Sequence, residues 1–260
     1  MTRIPDGNVL AGRRALVLGV ANAHSVAYGC ARVFRRLGAE VALTYANEKA
    51  KPHVEPLARE LGTSLFMPCD VQQNGDLEAV FQQIAETWGS LDIALHSIAF
   101  APKEDLQSRL VDSSSGGFKV AMDVSCHSFI RMARLAAPLM PAGGTLLTMS
   151  YHGATKVVPN YHLMGPVKAA LESAVRYLAY ELGQQEIRVH ALSPGPLKTR
   201  AASGLKDFDL LLAEAMQRAP IGELVDIDDV GLTAAYLTTP YAAHLTGMTV
   251  YVDGGLSIMA

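Results

Sequence analysis

Short apolar runs alternate with longer amphipathic stretches along this chain. Runs at residues 15–18, 40–45, 64–68, 92–96, 145–149, 188–192 and 249–252 read as strands. Several are apolar at successive positions rather than at every second one, the pattern of strands covered on both faces. Between them, residues 26–37, 51–61, 75–87, 117–140 and 161–182 carry the longer period of helices. Residues 201–217 and 227–237 add two more near the end. This β-α-β alternation predicts an α/β fold: a Rossmann-like, doubly wound parallel sheet of about seven strands with helices on both faces. No Gly/Ser-rich linker, composition break or short repeat divides the chain, so residues 1–260 read as a single domain.

Composition narrows the class. Half of the 260 residues are hydrophobic and 18% are charged, which fits a sizeable buried core. The net charge is −3 and no basic block stands out, which argues against nucleic acid or an anionic membrane surface as partner. Three widely spaced cysteines, Cys30, Cys69 and Cys126, form no CxxC pair and read as reduced thiols of a cytoplasmic protein. The histidines include no HxxxH pair, so no metal site is expected. The first 12 residues carry Arg3, Pro5 and Asp6 without an apolar run, unlike a secretory signal. No apolar stretch reaches the roughly 18 residues of a membrane span.

The candidate cofactor chemistry lies in the first half. The first strand runs into Gly19, Val20, Ala21 and then Ser25 and Val26. A tight strand-to-helix turn presents free N–H groups and a helix dipole to a pyrophosphate. Gly19 allows close backbone approach, and Ser25 either caps the helix or donates to phosphate. The G-x-G-x-x-G fingerprint is absent, so an ordinary βα turn is an equal reading of the loop by itself. After the second strand come Ala46, Asn47, Glu48 and Lys49. Glu48 favours NADH, whereas Lys49 suits a 2′-phosphate; NADH is the expectation and NADPH stays open. Asp70, followed by Val71, is placed to accept from adenine or to cap the next helix. Ser97, Ile98 and Ala99 follow the fourth strand, as cofactor floor or as plain turn.

The second half carries the candidate catalytic pair. Tyr161 and Lys168 are seven residues apart. On one helix that is about two turns, so both side chains would share a face about 10 Å apart along the axis. A free tyrosine has a pKa of about 10, and a nearby ammonium is expected to lower it. Lys168 can also hold a nicotinamide ribose, while Tyr161 donates to oxygen charge that grows as hydride arrives. A bare Y-x6-K recurs by chance. The cofactor half before it and Ser193, Pro194, Gly195 and Pro196 after it make catalysis the better reading.

At these residues the chain resembles the short-chain dehydrogenase/reductases and, more narrowly, the bacterial enoyl-acyl-carrier-protein reductases. The resemblance spans nearly the whole chain. It rests on Gly19 to Ala21, Ser25 to Gly29, Cys69 to Val71, His96 to Ile98, Leu146 to Tyr151, Pro159 to Tyr161, Met164, Gly165, Lys168, Gly195, Pro196, Thr199, Ala201 to Gly204, and Val252 to Gly255. Tyr151 is the discriminating feature. Ordinary superfamily members use a serine in that region and a Tyr-to-Lys spacing shorter by three.

The resemblance implies hydride transfer from NADH to the β-carbon of a trans-2-enoyl thioester on acyl carrier protein, in fatty-acid elongation. Tyr161 and the cofactor ribose would stabilise the enolate, Lys168 would hold the ribose, and Tyr151 would shape the acyl pocket or contact the thioester. It further implies cofactor contacts at Gly19, Ala21, Ser25, Val26, Ala46, Asp70, Val71, Ser97, Ile98, Lys168, Leu197 and Thr199. Substrate contacts would fall at Ala101, Tyr151, Tyr161, Met164 and Ala201, with residues 199–220 similar to the family's substrate-binding loop, and the assembly would be a homotetramer. Two positions depart from the family pattern: many NADH-using members have glutamine where this chain has Ala46, and glycine is frequent where it has Ala99. The alternatives are a keto- or hydroxy-dehydrogenase of the same superfamily, which Tyr151 and the longer spacing oppose, and a non-catalytic NAD-binding regulator.

Overall fold

The computed structural model describes residues 7–197 and 208–259, with the side chains of 208–211 excepted. Seven strands form one parallel sheet: β1 (Arg14–Leu18), β2 (Glu40–Tyr45), β3 (Leu65–Pro68), β4 (Ile93–His96), β5 (Gly144–Met149), β6 (Ile187–Pro194) and β7 (Met248–Val252). Their order is β3-β2-β1-β4-β5-β6-β7. The direction of winding reverses between β1 and β4, and ligands of open parallel sheets bind outside the carboxyl ends of the strands at such a reversal. Strand runs that are apolar at every position fit this architecture, because helices cover both faces: β1 is buried from Ala15 to Leu18 and β4 throughout.

Nine α-helices are described: α1 (Val26–Arg36), α2 (Lys51–Leu61), α3 (Asp76–Trp88), α4 (Lys103–Gln107), α5 (Ser115–Met122), α6 (Ser128–Ala136), α7 (Met164–Leu182), α8 (Phe208–Arg218) and α9 (Ile227–Thr238). Two large apolar clusters fill the space between helices and sheet. One gathers Leu16, Leu18, Ala94 and Leu146 with Ile84, Phe129, Leu171 and Val175; the other gathers Val17, Leu43, Leu95 and Leu147 with Phe34, Val54 and Val230. Alternate residues of each strand serve opposite clusters, as the period of two in a strand requires. Each fully buried large side chain contributes about 1.5–3 kcal/mol.

Two expectations change. The helix expected over 117–140 is α5 and α6 joined by a π-helical turn, Asp123–His127, and closed by a 3-10 turn, Ala137–Leu139. The helix expected from 161 begins at Met164, leaving Tyr161 in a turn before it. Asn160 and His162, on either side of that tyrosine, both have positive φ, 64° and 37°, which no α-helix accommodates. The five-residue α4 is too short to show a periodic signal. Of the helix expected over 201–217, only the part from Phe208 lies within the described residues.

Candidate active site

The carboxyl ends of β1 to β6 carry the proposed site in chain order. Gly19 leaves β1 with φ of 96°, and a Cβ there would fall on the Ser97 carbonyl and 3.1 Å from Ile98 Cγ1. Only glycine lets the loops after β1 and β4 pass so closely. Ser25 sits at the N-cap position of α1, but its side chain turns back to the loop: Oγ accepts from the N–H groups of Ala21 and Asn22, each at 3.3 Å, and donates to the Asn22 carbonyl. The helical capping role is therefore not the one Ser25 fills. In the first turn the N–H groups of Val26 and Ala27 have no helical carbonyl to bond and point outward from the helix end, while that of Tyr28 bonds the Ser25 carbonyl at 2.9 Å.

Ala46 is exposed at the end of β2. Glu48 beyond it accepts from the Tyr45 hydroxyl at 3.3 Å and pairs with Lys51 at 3.7 Å. Asp70 does not cap α3, whose N-cap is Gly75; its carboxylate accepts from the N–H of Gln72 at 3.0 Å. Val71 beside it is buried in the sheet-face core. Ser97 and Ile98 are half-buried where β4 ends, and Leu197 is half-buried beyond β6. Thr199 and Ala201 lie outside the described residues.

A third apolar cluster stands apart from the two sheet faces. It holds Ala101, Ala121, Tyr161, Leu163, Met164 and Val167, with Tyr151 packed against them. The four described substrate-contact candidates are thus brought together. Ala101 is held by the π-helical turn: Ser125 Oγ accepts from the N–H of Phe100 at 2.9 Å and lies 3.1 Å from its carbonyl. The rings of Tyr151 and Tyr161 meet edge to face with centroids 4.9 Å apart. Gly153 makes room for them, since a Cβ there would lie 2.5 Å from Tyr161 Cδ1 and 3.3 Å from Tyr151 Cδ1. No local pattern marks Gly153, because what it accommodates comes from eight residues away.

Lys168, 5% exposed, projects from the first turns of α7 and donates from Nζ to the Met149 carbonyl at 2.7 Å. Burial lowers its pKa to about 8, against opposing effects of Cys126 and Glu172. The tyrosines move the other way. Burial, with Tyr151 and Glu172 adding to it, pushes the Tyr161 phenol well above its ordinary value, and burial alone does the same for Tyr151. The expectation that Lys168 lowers the Tyr161 pKa is corrected: burial raises it, with Tyr151 and Glu172 adding to the rise, and Tyr161 is a neutral hydroxyl donor at physiological pH. The Tyr151 hydroxyl is buried and has no hydrogen-bond partner. Such a group costs about 1–3 kcal/mol unless something accepts from it.

A dinucleotide fits these residues. The N-terminus of α1 opens at the carboxyl edge of the sheet, and the hydroxyls of Tyr151 and of Ser193 on β6 are buried without a partner. Sheet order and site together define a dinucleotide-binding α/β protein of Rossmann type. A family model described as enoyl-(acyl carrier protein) reductase matches residues 19–257. The enoyl-acyl-carrier-protein reductase (NADH) FabI of Aquifex aeolicus is 46% identical over 252 residues, 96% of this chain and 93% of that protein. Its Escherichia coli counterpart is 44% identical over 96% of both chains. Among solved structures, the Anaplasma phagocytophilum reductase in complex with NAD superposes with a TM-score of 0.94 at 46% identity, covering 98% of this chain and 97% of that one. The Bacillus cereus reductase with NADP+ gives 0.95 at 41% identity, covering 97% and 99%. The chain belongs to the enoyl-(acyl carrier protein) reductase family.

Proposed function

We propose that this protein reduces the trans-2 double bond of an enoyl thioester carried on acyl carrier protein, using NADH. The observation that carries the reading is the buried, unpartnered Tyr151 hydroxyl packed against Tyr161 in an apolar cluster at the cofactor edge. An acyl chain matches the cluster, and a thioester oxygen matches the hydroxyl donors. NADH, when bound, supplies the hydride that adds to the β-carbon. As that carbon gains its hydrogen, the double-bond electrons move to the thioester oxygen, and the resulting enolate takes a proton from water at the α-carbon. Tyr161 donates a hydrogen bond to that oxygen, a role for which a neutral phenol is the right form. Tyr151 orients the thioester. Lys168 has three donors, one of them on the Met149 carbonyl, leaving others for the ribose hydroxyls.

Gly19, Ala21, Ser25 and Val26 would receive the pyrophosphate, Ala46 the adenosine ribose, Asp70 and Val71 the adenine, and Ser97, Ile98, Leu197 and Thr199 the nicotinamide half. Ala101, Met164 and Ala201 would line the acyl site. The carboxylate of Glu48 near Ala46 opposes a 2′-phosphate, which supports NADH, as do the names of the relatives. The single-domain reading of residues 1–260 is supported by one continuous sheet. No helix among the described residues is long and apolar enough to cross a membrane. The same reading includes a cytoplasmic homotetramer, for which the exposed Tyr177 and Tyr180 of α7 offer apolar contact surface, and mass measurement in solution tests it. Activity is tested with crotonyl and acetoacetyl thioesters, each with NADH and NADPH. Enoyl reduction with NADH is expected; carbonyl reduction alone, or cofactor binding without turnover, would replace this reading with one of its alternatives.

A further inference from the structure

Glu172 is a buried carboxylate, 6% exposed, that the mechanism above does not use. It lies four residues after Lys168 on α7, so both side chains occupy one face, about 6 Å apart along the axis. Both reach the same stretch of chain at the end of β5. Lys168 Nζ bonds the Met149 carbonyl at 2.7 Å, and Ser150 Oγ donates to Glu172 Oε1 at 2.6 Å. Ser150 is itself tied back to the sheet by its N–H on the Leu192 carbonyl at 2.7 Å. The next residue is Tyr151. Two adjacent residues of the strand end are therefore gripped by two side chains one helical turn apart.

We propose that Glu172 is a positioning residue: through Ser150 it fixes the backbone that presents Tyr151, and through its charge it keeps Lys168 an ammonium inside a buried site. The inference rests on the reading of Lys168 as the group that holds the ribose. The titratable groups that act on Lys168 or are acted on by it are Cys126 in the π-helical turn, Glu172 on its own helix and His96 on β4. Cys126 is a neutral thiol at physiological pH, because burial raises its pKa. His96 is neutral too, held near a pKa of 3 by burial, with Thr148 and Ser128 bonded to its two ring nitrogens. Glu172 is the one carboxylate in this set. A buried ammonium without a counter-charge is driven to its neutral form.

The test separates charge from hydrogen bonding. Glu172→Gln keeps an acceptor for Ser150 and removes the charge, Glu172→Asp keeps the charge, and Ser150→Ala removes only the bond. The readout is the pH midpoint of Lys168 acetylation by acetic anhydride, followed by peptide mass spectrometry. It needs no turnover, so it stands even if enoyl reduction is not the reaction. The pH profile of kcat/KM for NADH is measured alongside. Removing a carboxylate lowers a lysine pKa, so Glu172→Gln should move the midpoint and the alkaline limb down by about one pH unit, a tenfold loss at fixed alkaline pH. Glu172→Asp should restore both. Ser150→Ala should keep the midpoint and lower kcat. An unchanged midpoint in folded Glu172→Gln overturns the proposal. So does a downward shift in Ser150→Ala or Glu172→Asp, and those two variants carry the test if Glu172→Gln does not fold.

Discussion

Replacing Gly153 by alanine adds one methyl group at the place where the two site tyrosines meet. The new Cβ would stand 2.5 Å from Tyr161 Cδ1 and 2.9 Å from Cε1. Carbon atoms rest at about 3.5–4.0 Å, so the ring must retreat by roughly 1 Å. It has little room: Tyr151 closes one side with centroids 4.9 Å away, and Leu163, Ala121 and Val167 pack in the same cluster. Overpacking of this kind costs about 1–3 kcal/mol. At about 2–4 °C per kcal/mol the melting midpoint should fall by roughly 2–12 °C. A 1 Å displacement of a hydrogen-bond donor to the reacting oxygen can cost about a hundredfold in rate. Steady-state reduction of an enoyl thioester at saturating NADH should therefore show kcat down by about 10- to 100-fold while the enzyme stays folded at 25 °C. Gly183→Ala is the control. That glycine is in the right-handed helical region with nothing within 4 Å, so alanine should leave kcat unchanged. Wild-type kcat in Gly153→Ala would falsify the placement of Tyr161 against Gly153.

Other consequences are more direct. Tyr161→Phe removes a hydroxyl but keeps the ring packing, so kcat should fall by about 100-fold or more at nearly unchanged melting midpoint; equal losses in both would point to a packing role. Gly19→Ala places a Cβ on a neighbouring carbonyl at positive φ and should abolish NADH binding, read by fluorescence titration, or prevent folding. Lys168, with its pKa lowered to about 8, should give kcat/KM a decline above that pH as the ammonium is lost; a flat profile to pH 10 would contradict this. Acid should destabilise the fold. His96 and His190 are lowered to about 3 and 4, below the unfolded value of 6.5, so between those limits the unfolded chain binds protons the folded one refuses. Stability is then fully present above pH 6.5 and is lost as pH falls toward 4, by a few kcal/mol, which urea titrations at pH 7 and 4.5 would detect.

The sheet was legible because its strands are buried on both faces. Runs such as β1 and β4 are too apolar for an exposed loop and too short for a buried helix. Candidate site residues that follow strand ends, from Gly19 to Tyr151, can be placed from the sequence for the same reason: locating a strand locates its carboxyl end. Tyr161 was misplaced onto a helix because the residues after it have helical periodicity and its departure lies in backbone angles. Asn160 carried the one available signal, since asparagine tolerates positive φ better than most residues. The π-helical turn at Asp123–His127 was hidden because one additional residue per turn barely alters an apolar pattern of that length. Gly153 and Glu172 act through contacts that only the folded chain creates. The rise in the Tyr161 pKa likewise depends on a burial that no spacing of tyrosine and lysine reveals.

The central claim is hydride delivery to a carbon–carbon double bond at the Tyr151–Tyr161 cluster. Crotonyl thioester reduced with NADH deuterated at the transferable position of nicotinamide C4 tests it most directly. One deuterium at the β-carbon of the butyryl product, lost with turnover in Tyr161→Phe, is the result expected. Deuterium on a carbinol carbon from acetoacetyl thioester, with no butyryl product formed, would contradict it.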